Sequence, residues 1–284
     1  MANNVVIPNL KKLEKLKKSF FRDGSSNIHV LADFDRTLTY AFVDGEKIPS
    51  IISVLRDGTY LTPDYAEKAH ALFNKYHPIE VNPHLSLQKK KKAMLRWWGE
   101  HSDLLVQSGL NKKDLEKVAG SPKIKFREGA LDFIDFLHSH DIPIVVMSSS
   151  GLGKDAVSLC FQRHMRLYSN VHIISNSFVW DKNDNATGFK KPIIHSMNKD
   201  ETMLHDFPVY DLVKNRKNVL LLGDTLEDVG MIEGFDYKNL IKIGFLNENV
   251  DDNLEYYKKN YDVVILNDSS MEYINELLKS IIEF

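Results

Sequence analysis

Short apolar runs alternate with amphipathic helical patterns along most of the chain, and this alternation restricts the fold more than any other feature. Residues 28–32, 142–147, 171–175, 219–222, 240–243 and 263–266 are each a brief apolar run bounded by polar or turn residues, the pattern of a buried strand. Helical patterns at 129–140, 154–166 and 271–282 fall between them or follow them. Strands that alternate with helices predict a parallel sheet covered on both faces, and so an α/β core. A further helical pattern over 1–22, rich in lysine around Leu10, Leu13 and Leu16, reads as a surface helix ended by Gly24-Ser25-Ser26.

The alternation is interrupted once. From 45 to 121 there are helical patterns and turn residues but no convincing buried strand. Thr62 and Pro63 offer an N-cap and a first-turn proline ahead of Tyr65, Ala69, Leu72, Phe73 and Tyr76 at helical spacing. A second helix is signalled by Ser86 and carries Met94, Leu95, Trp97, Trp98, Leu104 and Leu105; a third follows Asn111. The segment is therefore expected to be an inserted helical cap, with 1–44 and 122–284 forming the core domain. The lysines at 89–92 read as a solvated helix face, with phosphate steering as the alternative.

Several function classes are excluded by composition. The chain of 284 residues is 43% hydrophobic and 27% charged, with a net charge of -2 and a pI near 6.6, so it lacks the basic excess expected of a partner for nucleic-acid polymers or membrane surfaces. Cys160 is the sole cysteine, which rules out an intrachain disulfide and a cysteine-rich metal site and points to a reducing compartment, the cytoplasm. The N-terminal stretch lacks the uninterrupted apolar core of a secretory signal, and no run approaches the roughly 20 apolar residues of a membrane span.

Four predicted strand ends carry the groups needed for phosphate chemistry. The first strand runs into Asp33-Phe34-Asp35-Arg36-Thr37, and ligand crevices in open α/β sheets lie outside the carboxyl ends of strands. Two residues apart in extended chain, Asp33 and Asp35 face one site, where two like charges call for a cation or a proton. Ser148, at the end of 144–147, begins Ser148-Ser149-Ser150-Gly151, a hydroxyl and amide cradle for phosphate at a strand-to-helix junction. Lys190, with Lys191 as competitor, is a cation able to neutralise a transferring phosphoryl group. Finally, 221–228 leads an apolar strand into an acidic loop with Asp224 and Asp228, oxygen ligands suited to Mg²⁺.

Together the DxDxT element, strand-end serine, lysine and GDxxxD resemble the four motifs of the haloacid dehalogenase superfamily. The resemblance implies a Rossmann-like core with an inserted C1-type helical cap. It also implies that Asp33 is the nucleophile and Asp35 the general acid and base. Mg²⁺ would sit on Asp33, the Asp35 main-chain carbonyl and Asp224, with Asp228 beside them. Phosphate contacts would come from Thr37, from Ser148 or Ser149, and from Lys190. Ser148 is favoured because it directly ends the apolar run.

The cap narrows the substrate. Its Tyr76-His77-Pro78-Ile79-Glu80-Val81-Asn82-Pro83 and Met94-Leu95-Arg96-Trp97-Trp98, with Ile194-His195-Ser196-Met197-Asn198-Lys199 farther on, resemble the cytosolic pyrimidine 5′-nucleotidase family, of the cytosolic 5′-nucleotidase III kind. That resemblance implies hydrolysis of nucleoside 5′-monophosphates, pyrimidine nucleotides preferred and 7-methyl-GMP as an alternative, by a monomeric enzyme. Glu80 would read the base and Trp98 would stand beside it. The chain departs from the family in two substrate positions: Pro49-Ser50-Ile51-Ile52-Ser53 replaces polar residues, leaving Ser53 as a candidate contact, and His101-Ser102 reverses the usual order, leaving His101 as another. Competing readings of the same chemistry are a sugar phosphate or phosphoamino acid substrate, or transfer of the phosphoryl group to a second nucleoside.

Overall fold

The apolar runs become the strands of one sheet. A computed structural model of the chain describes residues 4–82, 84–199 and 207–283. Along the described residues the elements are β1 (Val5–Val6), α1 (Leu10–Asp23), β2 (Ile28–Ala32), β3 (Phe42–Val43), β4 (Glu46–Lys47), α2 (Ile51–Arg56), α3 (Tyr65–Glu80), α4 (Leu87–Gln107), α5 (Lys112–Ala119) and α6 (Ala130–Ser139). They continue with β5 (Ile144–Met147), α7 (Gly153–Arg163), β6 (Val171–Ile174), β7 (Phe178–Trp180), β8 (Ala186–Phe189), α8 (Val209–Val213), β9 (Asn218–Gly223), β10 (Asn239–Leu246), α9 (Val250–Asn260), β11 (Val263–Leu266) and α10 (Glu272–Ile282).

Seven strands form the main sheet in the order β1-β11-β10-β9-β2-β5-β6, parallel throughout except for β1, which runs antiparallel along β11. Successive strand residues feed opposite faces, as the period of two requires. Ile28, Val30, Ala32, Leu220 and Leu222 join one core, while Leu31, Val219 and Leu221 join the other. Connections run outward from the β2–β9 pair in both directions, which makes this pair the switch point where a crevice opens at the carboxyl ends.

Helices α2 to α5 occupy the interruption seen in the sequence, with α3 packed on α2 and α4, and α5 on α2. Tyr76, Met94 and Trp97 form a small core of their own with Met197 from the loop after β8. Ser86 caps α4 and Asn111 caps α5, the latter in a full capping box with Asp114. Thr62 does not cap α3. Its carbonyl accepts from Tyr65 N at 3.0 Å, so a turn precedes the helix and Asp64 takes the cap position. Helix α1 is amphipathic rather than a purely surface element, because Leu13 and Phe20 are fully buried.

Candidate active site

Strand β2 delivers the first two acids. Asp33 N continues the ladder to Leu222 O at 3.0 Å, which sets the Asp33 side chain beside the end of β9. There Gly223 is followed by Asp224, and a Cβ on Gly223 would lie 2.3 Å from Asp228 Cβ, so only glycine lets the acidic loop fold back over the strand end. Asp228 Oδ2 accepts from Asp224 N (3.1 Å), Thr225 N (2.9 Å) and Thr225 Oγ1 (2.9 Å), which fixes that loop. Carboxylate oxygens of Asp33, Asp224 and Asp228, all buried, lie within 4.8 Å of one another. The Asp35 carboxylate is outside this cluster; its Oδ1 accepts from Ile51 N, the first amide of α2, at 2.8 Å.

The lysine at this cluster is Lys199, not Lys190. Lys199 Nζ donates to Asp33 Oδ1 and, at 2.7 Å, to Asp228 Oδ1. Its loop is pinned by Asn176, whose side chain donates to Ile194 O (2.7 Å) and accepts from Ile194 N (2.8 Å), and by Asn198, which donates to Ile193 O (2.9 Å). Lys190 closes the β7–β8 hairpin, with its backbone N–H donating to Ser177 O at 2.7 Å, and it and Lys191 are exposed and absent from the cleft lining. The stretch 194–199 that resembles the nucleotidase family ends in Lys199 and was the available signal, but the loop that carries this lysine forward is held partly by Asn176, more than 20 residues earlier.

Strand β5 ends in the expected serine loop. Ser148 is 1% exposed, its Oγ accepts from Ser150 N at 3.1 Å, and it lines the cleft together with Ser149, Ser150 and Gly151. Gly153, at φ +70°, starts α7 with its Cα so close to Asn176 that a Cβ would come within 2.4 Å of the Asn176 carbonyl oxygen. Thr37 is elsewhere: its side chain is fully buried and outside the cleft lining, so it is not placed for phosphate. The turn that carries it is held from behind by Arg127, which donates to Thr37 O at 2.8 Å and Arg36 O at 2.6 Å.

Above these groups lies a cleft of about 630 Å³ whose far wall comes from the helical insertion. Glu80 lines it, with Oε1 accepting from Ser196 Oγ at 2.5 Å and Oε2 3.2 Å from His77 Nδ1. Trp98 lines it too, and its Nε1 donates to Ser149 O at 2.9 Å, tying the wall to the serine loop. Trp97 is shared between cleft and core, stacked on Tyr76. His101 is in the lining and its Nε2 is 3.0 Å from Tyr65 OH; burial first, then the nearby Arg56 charge, pushes its pKa down to about 4. Ser53 is not in the lining. It is buried on the inner side of α2 and donates to Ser50 O at 2.6 Å, while Ser50, Ile52 and Arg56 face the cleft.

At the catalytic end the carboxylates Asp33, Asp35, Asp224 and Asp228 outnumber the cations Lys199 and Arg36. Burial pushes Asp33 well up, against the opposing Lys199 charge. Burial, then Asp228, raises Asp224 to about 7, and burial raises Asp35 to about 6 against the Ile51 N–H. Burial also works against the Lys199 charge, but Asp228 and Asp33 more than compensate and raise it, so the ammonium persists. An excess of buried carboxylate oxygens with raised pKa values is a donor set for a hard divalent cation. Such a cation would restore the ionised form of Asp33.

The sequence model of the pyrimidine 5′-nucleotidase (UMPH-1) family matches residues 36–282. The chain is 30% identical over 283 residues to the 7-methylguanosine phosphate-specific 5′-nucleotidase of Mus musculus, covering 99% of this chain and 94% of the relative. It is 32% identical over 261 residues to a putative cytosolic 5′-nucleotidase 3 of Caenorhabditis elegans, covering 90% and 69%. Among solved structures, cytosolic 5′-nucleotidase IIIB bound to cytidine matches with a TM-score of 0.89 at 26% identity, over 99% of this chain and 94% of that one. Substrate-bound phosphoserine phosphatase matches at a TM-score of 0.54 and 15% identity, over 88% and 96%, a likeness of fold. A haloacid dehalogenase family hydrolase of Salmonella enterica does so at 0.57 and 15%, over 97% and 81%.

Proposed function

Because the chain belongs to the pyrimidine 5′-nucleotidase family, we propose that it hydrolyses nucleoside 5′-monophosphates, pyrimidine nucleotides preferred, by two displacements at Asp33. The observation that carries this reading is a single cleft with Asp33 and Lys199 at one end, the Ser148 loop along its floor and Glu80 on its far wall.

In the first displacement an Asp33 carboxylate oxygen attacks phosphorus and the bond to the nucleoside 5′-oxygen breaks. Asp35 gives that oxygen its proton, a role suited to a carboxyl group raised to about 6 by burial. In the second, Asp35 takes a proton from a water that attacks the phosphoryl group, which leaves as phosphate and returns Asp33 to its carboxylate. Splitting one hard displacement into two is the gain of covalent catalysis. Lys199 holds Asp33 in place and faces the phosphoryl oxygens with positive charge, while the Ser148 hydroxyl and the following amides orient them. Mg²⁺, held by Asp33, the Asp35 main-chain carbonyl and Asp224 with Asp228 beside them, supplies further neutralisation of the phosphoryl charge when bound.

Residues 45–121 act as the cap in this reading, and 1–44 with 122–284 as the core. Among the described residues no helix is long and apolar enough to cross a membrane. The likeness to a putative cytosolic 5′-nucleotidase 3 of Caenorhabditis elegans supports a cytoplasmic location.

Phosphate release from UMP, CMP, dTMP, AMP, GMP, phosphoserine and a sugar phosphate, with and without a chelator, tests the reading. Release from pyrimidine nucleotides that stops on chelation and returns with Mg²⁺ is the expected result. Equal rates on the non-nucleotide esters, or full activity in chelator, would reject it.

A further inference from the structure

A cation stands in the cleft that the chemistry above does not use. Arg56, the last residue of α2, lines the cleft with a side chain only 13% exposed, its guanidinium carbon 5.0 Å from the Phe73 ring centroid. Its Nε is 3.3 Å from Asp57 Oδ1. Asp57 is half-exposed and also 3.2 Å from His70 Nε2, so it neutralises Arg56 incompletely. The two terminal nitrogens of Arg56 make no hydrogen bond among the described residues. Four donor hydrogens in a planar fork are thus available on the cleft side.

The opposite end of the same wall is acidic. Phe73, His77 and Glu80 succeed one another along one face of α3: Phe73 stacks on His77 at 4.6 Å, and His77 Nδ1 is 3.2 Å from Glu80 Oε2. At 1.5 Å per residue, the seven residues from Phe73 to Glu80 span about 10 Å of helix, so Arg56, packed on Phe73, and Glu80 stand at opposite ends of this wall. A base in that space meets an acceptor at the Glu80 end and a donor fork at the Arg56 end.

We infer that Arg56 is a specificity-determining residue that favours neutral bases presenting acceptor atoms and rejects cationic ones, so that this enzyme discriminates against 7-methylguanosine monophosphate. The inference rests on the nucleotidase reading above. Cytosine carries a carbonyl and a ring-nitrogen acceptor for the fork, and uracil carries two carbonyls. Methylation of guanine at N7 removes an acceptor on the edge opposite the amino group that Glu80 would take, and leaves a positive ring charge. At the Arg56 end that charge meets an incompletely neutralised guanidinium whose side chain is itself only 13% exposed, and like charges repel. Relatives carrying the name 7-methylguanosine phosphate-specific 5′-nucleotidase are only about a third identical to this chain, which leaves room for such a difference.

The test is kcat/KM for CMP and for 7-methyl-GMP, measured on the purified Mg²⁺-loaded enzyme and on Arg56→Gln and Arg56→Lys. The wild-type enzyme is expected to favour CMP by about tenfold or more, the effect of one charged contact. Arg56→Gln should shrink that ratio by about tenfold, whereas Arg56→Lys, which keeps the charge, should retain the preference for CMP. A wild-type enzyme that prefers 7-methyl-GMP overturns the inference without any variant, and so does an unchanged ratio in Arg56→Gln. If neither nucleotide is cleaved while p-nitrophenyl phosphate still is, the nucleotidase reading itself falls.

Discussion

Lys199 Nζ bridges Asp228 Oδ1, at 2.7 Å, and Asp33 Oδ1, so one ammonium joins the loop after β8 to the ends of β9 and β2. All three side chains are less than a tenth exposed. A buried charge is tolerable only with partners such as these, and removing one partner of a buried pair leaves the others uncompensated. The same contact shapes the site, and in the proposed mechanism its ammonium would also neutralise phosphoryl charge.

Lys199→Ala is expected to lower kcat on CMP by about two to three orders of magnitude, the usual cost of losing a preorganised electrostatic group. Lys190→Ala, on an exposed loop outside the cleft, should leave kcat unaltered. Steady-state kinetics on the two variants side by side decides between the lysines, and the reverse ranking would restore Lys190.

Asp35 is held by Ile51 N at 2.8 Å, where it can give a proton to the departing oxygen. Asp35→Asn should cost about 10²- to 10⁴-fold in turnover of nucleotides, whose alkoxide is a poor leaving group. The loss in the phosphorylation step should be much smaller with p-nitrophenyl phosphate, because nitrophenolate departs without a proton. Rapid-quench measurement of that step on both esters is the check, and equal losses would remove Asp35 from the role of acid.

Glu80, at the end of α3, accepts from Ser196 Oγ and so ties the helical wall of the cleft to the loop after β8. Glu80→Ala is expected to reduce discrimination among nucleotides far more than it reduces turnover of p-nitrophenyl phosphate, since that ester has no base to read. A panel of kcat/KM values for UMP, CMP and the minimal ester measures this. Proportional loss on all of them would make Glu80 a structural link only.

The main sheet was readable because each parallel strand is a short, mostly apolar run, broken only by single polar residues such as His29, His172 and Lys242. Strand β1 escaped because Val5–Val6 is two residues long, and the β7–β8 hairpin because it mixes exposed and buried positions. Asp33, Ser148 and Asp224 were legible for a geometric reason: each directly follows a strand of the sheet, so its address follows from the strand, and Asp35 was reached by its spacing from Asp33. Lys199, Ser53 and Thr37 depend on loop and helix orientation. Ser53 faces inward because Ile52 and Arg56 take the cleft side of α2, and Thr37 faces inward because Arg127 draws its turn into the core. Nothing local to those residues announces either outcome.

His29 provides a pH-dependent weakness in the core. Its Nδ1 donates to Arg216 O at 2.8 Å, its Nε2 is buried without a partner, and burial lowers its pKa from 6.5 to about 4. Above 6.5 the ring is neutral in both folded and unfolded chains, so it adds no pH dependence. As pH falls from 6.5 towards 4 the unfolded chain takes up the proton first, and the folded state loses up to about 3 kcal/mol. His101, lowered to about 4 as well, adds to the loss in the same window. Urea denaturation between pH 7 and 4.5 should show the wild type losing stability faster than His29→Gln; parallel curves would mean that His29 does not bear the effect.

The central claim is that the Asp33 carboxylate becomes phosphorylated during turnover. The direct measurement is rapid acid quench of the Mg²⁺-loaded enzyme with CMP, followed by reductive trapping and peptide mass spectrometry. A labile adduct confined to Asp33, which forms at the rate of nucleoside release and is absent in Asp33→Asn, is the predicted result. An adduct on another side chain, or none while nucleoside is being released, would contradict the account.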